Sequence, residues 1–230
     1  MNFKRLLFAL IKLLLTPLKV LFYSNSILIQ LTTNYYIRRT FILNESEYKI
    51  QLIKNIAKFY NYDSFIETGT YLGGTSYGVR KIFKSILTTE LNKLNFNQAK
   101  IKLNKFQNIK IYNMDSELFL KNIIPVLKIK SIFFLDAHYS GKKTSKSLDN
   151  LCYKEISEIL KSKIKNHLII IDDISDFSPK TFGLHKILFK LEKINKNYKF
   201  YFEYDMLFAI PNETSHREFF KKIIPSFIVR

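Results

Sequence analysis

Cysteine is almost absent from this sequence. The single residue, Cys152, excludes an internal disulfide framework and argues against a structural zinc site. One free thiol also fits a reducing compartment. We therefore expect a cytoplasmic protein.

Acidic residues are scarce relative to basic ones. The chain has 37 Lys and Arg against 19 Asp and Glu, which gives a formal net charge of +18. Such an excess can attract nucleic acid, anionic lipid or a phosphorylated substrate. The lysines between residues 93 and 110 are scattered singly, however, and this favours compositional bias over a dedicated binding patch.

The length of 230 residues fits one domain with an appendage, and it is enough to bury a sizeable core. Hydrophobic residues make up 47% and charged residues 24%, which is ordinary for a globular protein. We predict an N-terminal amphipathic helix and connector over residues 1–46, followed by one domain over residues 47–230.

Residues 1–23 are apolar but are interrupted by charge. Lys12, Pro17 and Lys19 break the run, so it lacks the roughly 20 uncharged apolar residues of a membrane-spanning helix. No clear small-residue cleavage site marks a signal peptide. Two interpretations stay open. The segment is an interfacial helix in peripheral contact with the inner face of the membrane, or it docks on the domain or on a second subunit of a homo-oligomer.

From residue 62 onward, strand and helix patterns alternate. Continuous apolar runs, such as residues 132–135 and 168–171, are typical of parallel strands covered on both faces. The sequence therefore predicts a Rossmann-like, doubly wound α/β fold with a mostly parallel seven-stranded sheet and an N-terminal helical appendage. The predicted strands cover residues 64–67, 85–90, 109–114, 131–136, 167–172, 198–204 and 207–210.

Half of the six glycines lie in one stretch between the first predicted strand and the next helix: Gly69, Gly73 and Gly74. Glycine is used where φ is positive or where backbone approaches a ligand closely. The stretch therefore predicts a turn on which a nucleotide-type cofactor rests. A strict G-x-G-x-x-G is absent, and no Walker-type lysine follows.

Acids follow the first five predicted strands, at Glu67, Glu90, Asp115, Asp136 and Asp172. Ligands of open α/β sheets collect at this carboxyl edge. Any single acid there is commonly a helix cap or a turn residue, but a series of five favours a site. Glu90 lies 23 positions after Glu67, a spacing at which an acid binds ribose hydroxyls of NAD or S-adenosyl-L-methionine equally well.

Three of these motifs carry a resemblance to a known family. The stretch Glu67–Ser76 (ETGTYLGGTS) resembles the first motif of class I S-adenosylmethionine-dependent methyltransferases, Thr89–Leu91 their acidic second motif, and Asn113–Ser116 their third. Residues 133–141 (FFLDAHYSG) and 169–173 (IIIDD) are similar to a bacterial subgroup whose described relatives are macrocin and cephalosporin-type O-methyltransferases.

The resemblance covers about residues 47–210, and it implies O-methylation of a hydroxyl on a small-molecule or glycan acceptor, with S-adenosyl-L-methionine as cofactor. Glu67 and Gly69 would contact the amino acid portion of the cofactor, and Glu90 would hold its ribose hydroxyls. Asp115 and Ser116 would lie near the adenine. The implied cofactor-binding residues are Glu67, Gly69, Thr70, Gly73, Glu90, Asp115 and Ser116.

In metal-using relatives, acids after the fourth and fifth strands hold magnesium beside the acceptor hydroxyl. Asp136, Asp172 and Asp173 occupy those places here, and carboxylate oxygens suit Mg²⁺. The ion would lower the pKa of the acceptor hydroxyl. Asp136 and His138 are the catalytic candidates, because a histidine titrating near neutral pH suits removal of a hydroxyl proton. The alternative that His138 only orients its loop stays open. His167 and His185 we interpret as structural.

Other functions fit the sequence less well. Methylation of nucleic-acid base nitrogens usually requires Asn- or Asp-Pro-Pro-aromatic after the fourth strand. Asp136-Ala-His-Tyr139 has no proline, so nucleic acid is not the expected partner. RNA ribose methylation is the open enzymatic alternative. A non-catalytic, membrane-associated cofactor-binding protein would be expected to have lost these acids. An NAD-dependent oxidoreductase would need a proton relay that Tyr139-Ser-Gly-Lys142 supplies poorly.

Overall fold

The computed structural model describes residues 45–136, 148–177, 183–203 and 205–211. The prediction for the N-terminal amphipathic helix and connector lies almost wholly outside the described residues. Within these four ranges, no helix is long and apolar enough to cross a membrane.

Strands and helices alternate along the chain. The strands are β1 (Ser64–Thr68), β2 (Ser85–Thr89), β3 (Ile109–Tyr112), β4 (Ile132–Leu135), β5 (Leu168–Ile171), β6 (Lys199–Glu203) and β7 (Met206–Ile210). The helices are α1 (Glu45–Tyr60), α2 (Gly74–Val79), α3 (Lys93–Leu103), α4 (Ser116–Ile123), α5 (Leu148–Ile159) and α6 (Gly183–Ile194). Single 3₁₀ turns cover Ile124–Val126 and Ile174–Asp176.

The seven strands form one sheet in the order β3-β2-β1-β4-β5-β7-β6. Strands β1 to β5 pair in parallel, and β7 runs antiparallel to both β5 and β6. The predicted Rossmann-like, mostly parallel sheet is confirmed, with every strand end within two residues of its predicted position.

Helix α2 differs from its prediction at both ends. The sequence predicts a helix over residues 76–83, whereas α2 begins at Gly74 and ends at Val79. The Arg80 guanidinium donates to the Tyr77 carbonyl at 2.7 Å and stacks over the Tyr77 ring at 3.7 Å. These contacts cap the carbonyl end of the helix, so it stops about one turn earlier than the apolar pattern predicts.

Side chains from both faces of the sheet build two apolar layers. Successive strand residues point to opposite faces: Phe65 and Phe134 pack with the helices before and after β1, whereas Ile66 and Phe133 pack with α4, α5 and α6. All four side chains are buried. Burial on both faces explains why the strands read as continuous apolar runs.

His167 is part of this packing, as the sequence interpretation holds. Its Nδ1 accepts the Ser131 N–H at 3.1 Å, so the neutral ring carries its proton on Nε2, which lies 2.9 Å from Ser162 Oγ. Burial is the main cause that lowers the pKa of His167 to about 4. The residue precedes β5, at the edge of the sheet opposite the acids.

Helix α2 contacts α1 at Gly78, where there is no room for a larger side chain. A Cβ added there would lie 2.5 Å from Ile50 Cδ1 and 2.9 Å from Ile50 Cγ2. We expect Gly78→Ala to lower the free energy of unfolding by about 1–3 kcal/mol, because the helices must separate or Ile50 must leave its rotamer. Chemical denaturation measures this.

Gly74→Ala is the matched control on the same helix. A Cβ at Gly74 would meet no heavy atom within 4 Å, and alanine favours a helix more than glycine does. We expect its stability to be unchanged or slightly raised. Equal stability of the two variants would contradict the packing at Gly78.

Candidate active site

The ends of β1, β4 and β5 meet at the carboxyl edge of the sheet. The Asp136 N–H donates to the Thr68 carbonyl at 3.1 Å, and the Asp172 N–H donates to the Leu135 carbonyl at 3.0 Å. These bonds continue the parallel ladders past the strand ends. Neighbouring strands of a sheet lie about 4.8 Å apart. Asp136 therefore lies one strand spacing, and Asp172 two strand spacings, from the end of β1.

The glycine-rich stretch after β1 forms a turn tied to β2. The N–H groups of Gly69 and Thr70 both donate to the Thr89 carbonyl at 3.0 Å. Left-handed backbone conformations occur at Gly69 (φ 83°), Tyr71 (φ 48°) and Gly73 (φ 73°). A tyrosine rarely adopts such a φ, and here its N–H is directed at the Glu90 carboxylate, Oε2, at 2.7 Å.

Glu67 lies beneath this turn and is almost completely buried. Its Oε2 accepts two hydrogen bonds of 2.6 Å, from the hydroxyls of Ser76 and Thr88, and Thr88 also shares a hydrogen bond with Thr70. Burial is the main cause that raises the pKa of Glu67 to about 8, and the two hydroxyls lower it only in part. The predicted Glu67 and Thr70 are thus joined by Ser76 and Thr88, whose roles the sequence did not reveal.

Glu90 follows β2 and keeps free acceptor capacity. One oxygen accepts the Tyr71 N–H at 2.7 Å and the other accepts the Asn92 N–H at 2.8 Å. A carboxylate has about four acceptor positions, so roughly two remain for the hydroxyls of a ligand. This arrangement fits the ribose-binding role that the resemblance implies.

Asp115 has a structural role in the fold. It is the N-cap of α4, and its Oδ1 accepts the N–H groups of Glu117 at 2.9 Å and Leu118 at 3.3 Å. This is the helix-cap alternative that the sequence left open. Ser116, the first residue of the helix, is buried beside it. A role for this pair near the adenine stays a prediction.

The two glycines before α2 differ in what surrounds them. A Cβ on Gly73 would lie 3.0 Å from Leu103 Cδ1 of α3, so helix packing requires this glycine as well as its positive φ. Gly74 faces open space. The turn therefore leaves a cradle beside α2, with the buried Glu67 below and Glu90 at its side. These residues fit the cofactor that the resemblance implies.

Glu155 is a buried acid that sequence reasoning missed. It projects from α5 to lie beside the hydroxyls of Ser116 and Thr68, yet Glu155 Oε1 and Thr68 Oγ1 have no hydrogen-bond partner among the described residues. Burial raises the pKa of Glu155 to about 7. The signal that could have found it is its position, because Glu155 lies three residues after Cys152 and four before Ile159, on the apolar face of the helix.

Lys49 is the second residue that the sequence did not reveal. It projects from α1, and its Nζ lies 2.8 Å from both carboxylate oxygens of Asp172 and 3.6 Å from Asp173 Oδ1. Burial, followed by the nearby Asp136, raises the pKa of Asp172 to about 7, against the opposing effect of Lys49. Lys49 and Asp172 are 123 residues apart in the chain, so no spacing rule links them.

The predicted magnesium ligands do not fit a metal as they are placed. The part of the chain that the structure describes holds no group of three or more His, Cys, Asp or Glu side chains arranged to bind a metal ion. Both oxygens of Asp172 are bonded by the Lys49 ammonium instead. We therefore derive no step through a metal. The catalytic candidate His138 lies outside the described residues.

An open depression of about 600 Å³ lies at the opposite edge of the sheet. It is lined by residues that precede β5 and β6, among them Lys163, Lys165, Lys193 and Lys196. It contains none of the predicted site residues, so we place the candidate site at the carboxyl edge.

No protein-family model matches the sequence, and no curated protein matches it. Solved structures do share the fold. A protein from Staphylococcus aureus assigned as a caffeoyl-CoA O-methyltransferase is 16% identical over 85% of this chain and 97% of its own, with a TM-score of 0.50. An O-methyltransferase from Bacillus cereus, solved in complex with SAH, is 14% identical over 80% of this chain and 90% of its own, with a TM-score of 0.52.

A protein from Klebsiella pneumoniae assigned as an O-methyltransferase is 11% identical over 79% of this chain and 97% of its own, with a TM-score of 0.52. Identities this low establish the fold and leave the macrocin-type subgroup a prediction. The chain has the Rossmann-like, seven-stranded fold of class I methyltransferases.

Proposed function

We propose that the protein is an S-adenosylmethionine-dependent O-methyltransferase acting on a hydroxyl of a small or sugar-like acceptor. The observation that supports the proposal is that two groups of polar residues adjoin at the carboxyl edge of the sheet. An open turn over the buried Glu67, with Glu90 beside it, adjoins strand ends that carry Asp136 and Asp172. The SAH complex of the Bacillus cereus enzyme, which shares the fold, supports the choice of cofactor.

One of these groups binds the cofactor and the other binds the acceptor. When bound, the cofactor supplies an electrophilic methyl group. The turn and Glu90 fix its position, and Asp136, one strand away, is placed to accept a hydrogen bond from the acceptor hydroxyl. Transfer of that proton to a positioned base makes the oxygen a better nucleophile. We assign the proton transfer to Asp136 or to His138.

Magnesium is not part of this proposal. A metal at the acceptor side would need the carboxylate oxygens of Asp172, and the ammonium of Lys49 already bonds both of them at 2.8 Å.

Isothermal titration of the full chain tests the cofactor assignment. We expect SAH to bind with micromolar affinity and NADH not to bind, because the turn lacks the glycine pattern of a dinucleotide site. Glu90→Gln should weaken SAH binding, whereas Glu192→Gln, at the opposite edge of the sheet, should not. Absence of binding by both ligands would overturn the proposed enzyme.

A second candidate uses the same site. Methylation of an RNA ribose hydroxyl is supported by the formal net charge of +18. Transfer of a radiolabelled methyl group to total RNA, and its absence with sugar and phenolic acceptors, would favour this candidate over the first.

A further inference from the structure

The acceptor side of the site already contains a cation supplied by the chain. Lys49 Nζ lies at the same distance, 2.8 Å, from Asp172 Oδ1 and Oδ2, and it is 3.6 Å from Asp173 Oδ1. The side chains of Lys49 and Asp172 are only 13% and 4% exposed. A pair this sheltered interacts more strongly than a surface salt bridge.

The helix that carries Lys49 is fixed on both sides of it. The Tyr48 hydroxyl donates to Glu203 Oε1 at the end of β6, at 2.6 Å. Ile50 packs against Gly78 of α2, and Leu52 and Ile53 are buried in the core. The ammonium is thus delivered from a rigid element, and Asp172 is held in turn because its Oδ1 accepts the Asp173 N–H at 3.0 Å.

We propose that Lys49 is the resident cation at the acceptor side of this site and that the wild-type protein binds no divalent metal there. The assignment of these residues to the acceptor rests on the proposed function, whereas the contacts of Lys49 with Asp172 and Asp173 are independent of it. A divalent ion would have to displace the ammonium from both oxygens of Asp172, and the displaced charge would remain within a few ångströms of the ion. Breaking the pair would also cost the sheltered ammonium its two bonds of 2.8 Å to Asp172.

Lys49 then acts as a positioning residue. It holds Asp172 in one orientation and compensates its charge, and it limits the repulsion that a negative acceptor oxygen meets near Asp136 and Asp172. In metal-using enzymes a divalent ion does this, with a higher charge and a defined ligand geometry. Methyl transfer by this chain is accordingly expected to proceed unchanged in EDTA.

The test is Mn²⁺ binding to the full chain, measured by isothermal titration and by the loss of the free-Mn²⁺ EPR signal. We expect no site in the wild-type protein with a Kd below about 1 mM, and binding at least about 10-fold tighter in Lys49→Met, which removes the ammonium from both oxygens of Asp172. Adding Asp172→Asn to Lys49→Met should remove the new site. Lys58→Met, an exposed position on the same helix, should behave as wild type.

Two results would overturn the proposal. One is stoichiometric Mn²⁺ binding by the wild-type protein that Asp172→Asn abolishes. The other is a folded Lys49→Met variant that gains no Mn²⁺ site. If Lys49→Met does not fold, the wild-type titration still decides, and Lys49→Arg, which keeps the cation, should stay without Mn²⁺. SAH titration of the same samples reports on the proposed function separately, because it does not depend on Mn²⁺.

Discussion

Replacing Asp136 by asparagine is expected to lower kcat at least about 100-fold, the usual contribution of a positioned acid or base. The Kd for SAH should stay within about 3-fold, because Asp136 lies one strand spacing from the end of β1, whereas the N–H groups of the turn donate to the Thr89 carbonyl and to the Glu90 carboxylate. Asparagine keeps the shape of aspartate but does not take up a proton. Methyl transfer to a panel of hydroxyl acceptors and SAH titration measure the two quantities.

Asp172→Asn should also reduce kcat strongly, but with a second effect. It removes one charge of a sheltered pair in which the Lys49 ammonium lies 2.8 Å from Asp172, while Asp173 Oδ1 lies farther from that ammonium, at 3.6 Å. We therefore expect a lower melting temperature as well, which Asp136→Asn should not share to the same extent. Thermal unfolding of both variants separates the loss of activity from the loss of stability.

Asp63→Asn is the matched control. Asp63 pairs with Lys84 at 2.7 Å before β1 begins, at the other edge of the sheet, and its side chain is 52% exposed. Its kcat and SAH affinity should be those of the wild type. If Asp136→Asn weakens SAH binding as much as it lowers kcat, Asp136 belongs to the cofactor half of the site, and the division proposed here is wrong.

The sheet could be predicted because its signals are local. Buried parallel strands have unbroken apolar sequences, and the acids and glycines at the end of each strand directly follow its apolar run. The sequence alone therefore predicts that one edge of the sheet carries Glu67, Glu90, Asp136 and Asp172. The order of β1 to β5 is that of a doubly wound sheet, whereas the insertion of the antiparallel β7 between β5 and β6 does not follow from that general pattern.

What could not be predicted is which side chains meet across long separations. Lys49 lies in the helix that precedes β1, and no local feature of the sequence indicates that its side chain reaches Asp172. Glu155 lies on the apolar face of its helix, but nothing local indicates that its carboxylate comes to lie beside Thr68 and Ser116. Gly73 is predicted from the sequence to let the backbone approach a ligand, and this stays a prediction. Its packing against Leu103 of α3, which also requires a glycine, has no local signal in the sequence.

Protonation of the buried Glu67 should make the stability of the protein depend strongly on pH. Because its pKa is about 8 in the folded protein against 4.5 as its ordinary value, the folded state holds a proton that the unfolded chain releases. This contribution to stability is complete below pH 4.5 and is lost as the pH rises through 8. Glu67→Gln keeps an acceptor for Ser76 and Thr88 but cannot ionise, so its stability should be flatter over that window.

Cofactor binding should release this proton. In the class I family that the chain resembles, the acid at this place contacts the amino acid portion of the cofactor, whose ammonium would favour ionised Glu67. At pH 7 we therefore expect SAH binding to release up to about one proton, seen as a dependence of the titration enthalpy on the ionisation enthalpy of the buffer. The release should vanish above pH 9, where Glu67 is already ionised.

Glu67→Gln should abolish the proton release and weaken SAH binding by about 10–100-fold, the cost of a hydrogen bond to a charged group. The control is Glu158→Gln. Glu158 is a shielded acid near the end of α5, paired with Lys161 at 2.6 Å and remote from the turn. It should leave both the proton release and the affinity unchanged. If Glu67→Gln binds SAH with wild-type affinity and still releases a proton, then another group, with Glu155 the foremost candidate, is the one that titrates beneath the cofactor.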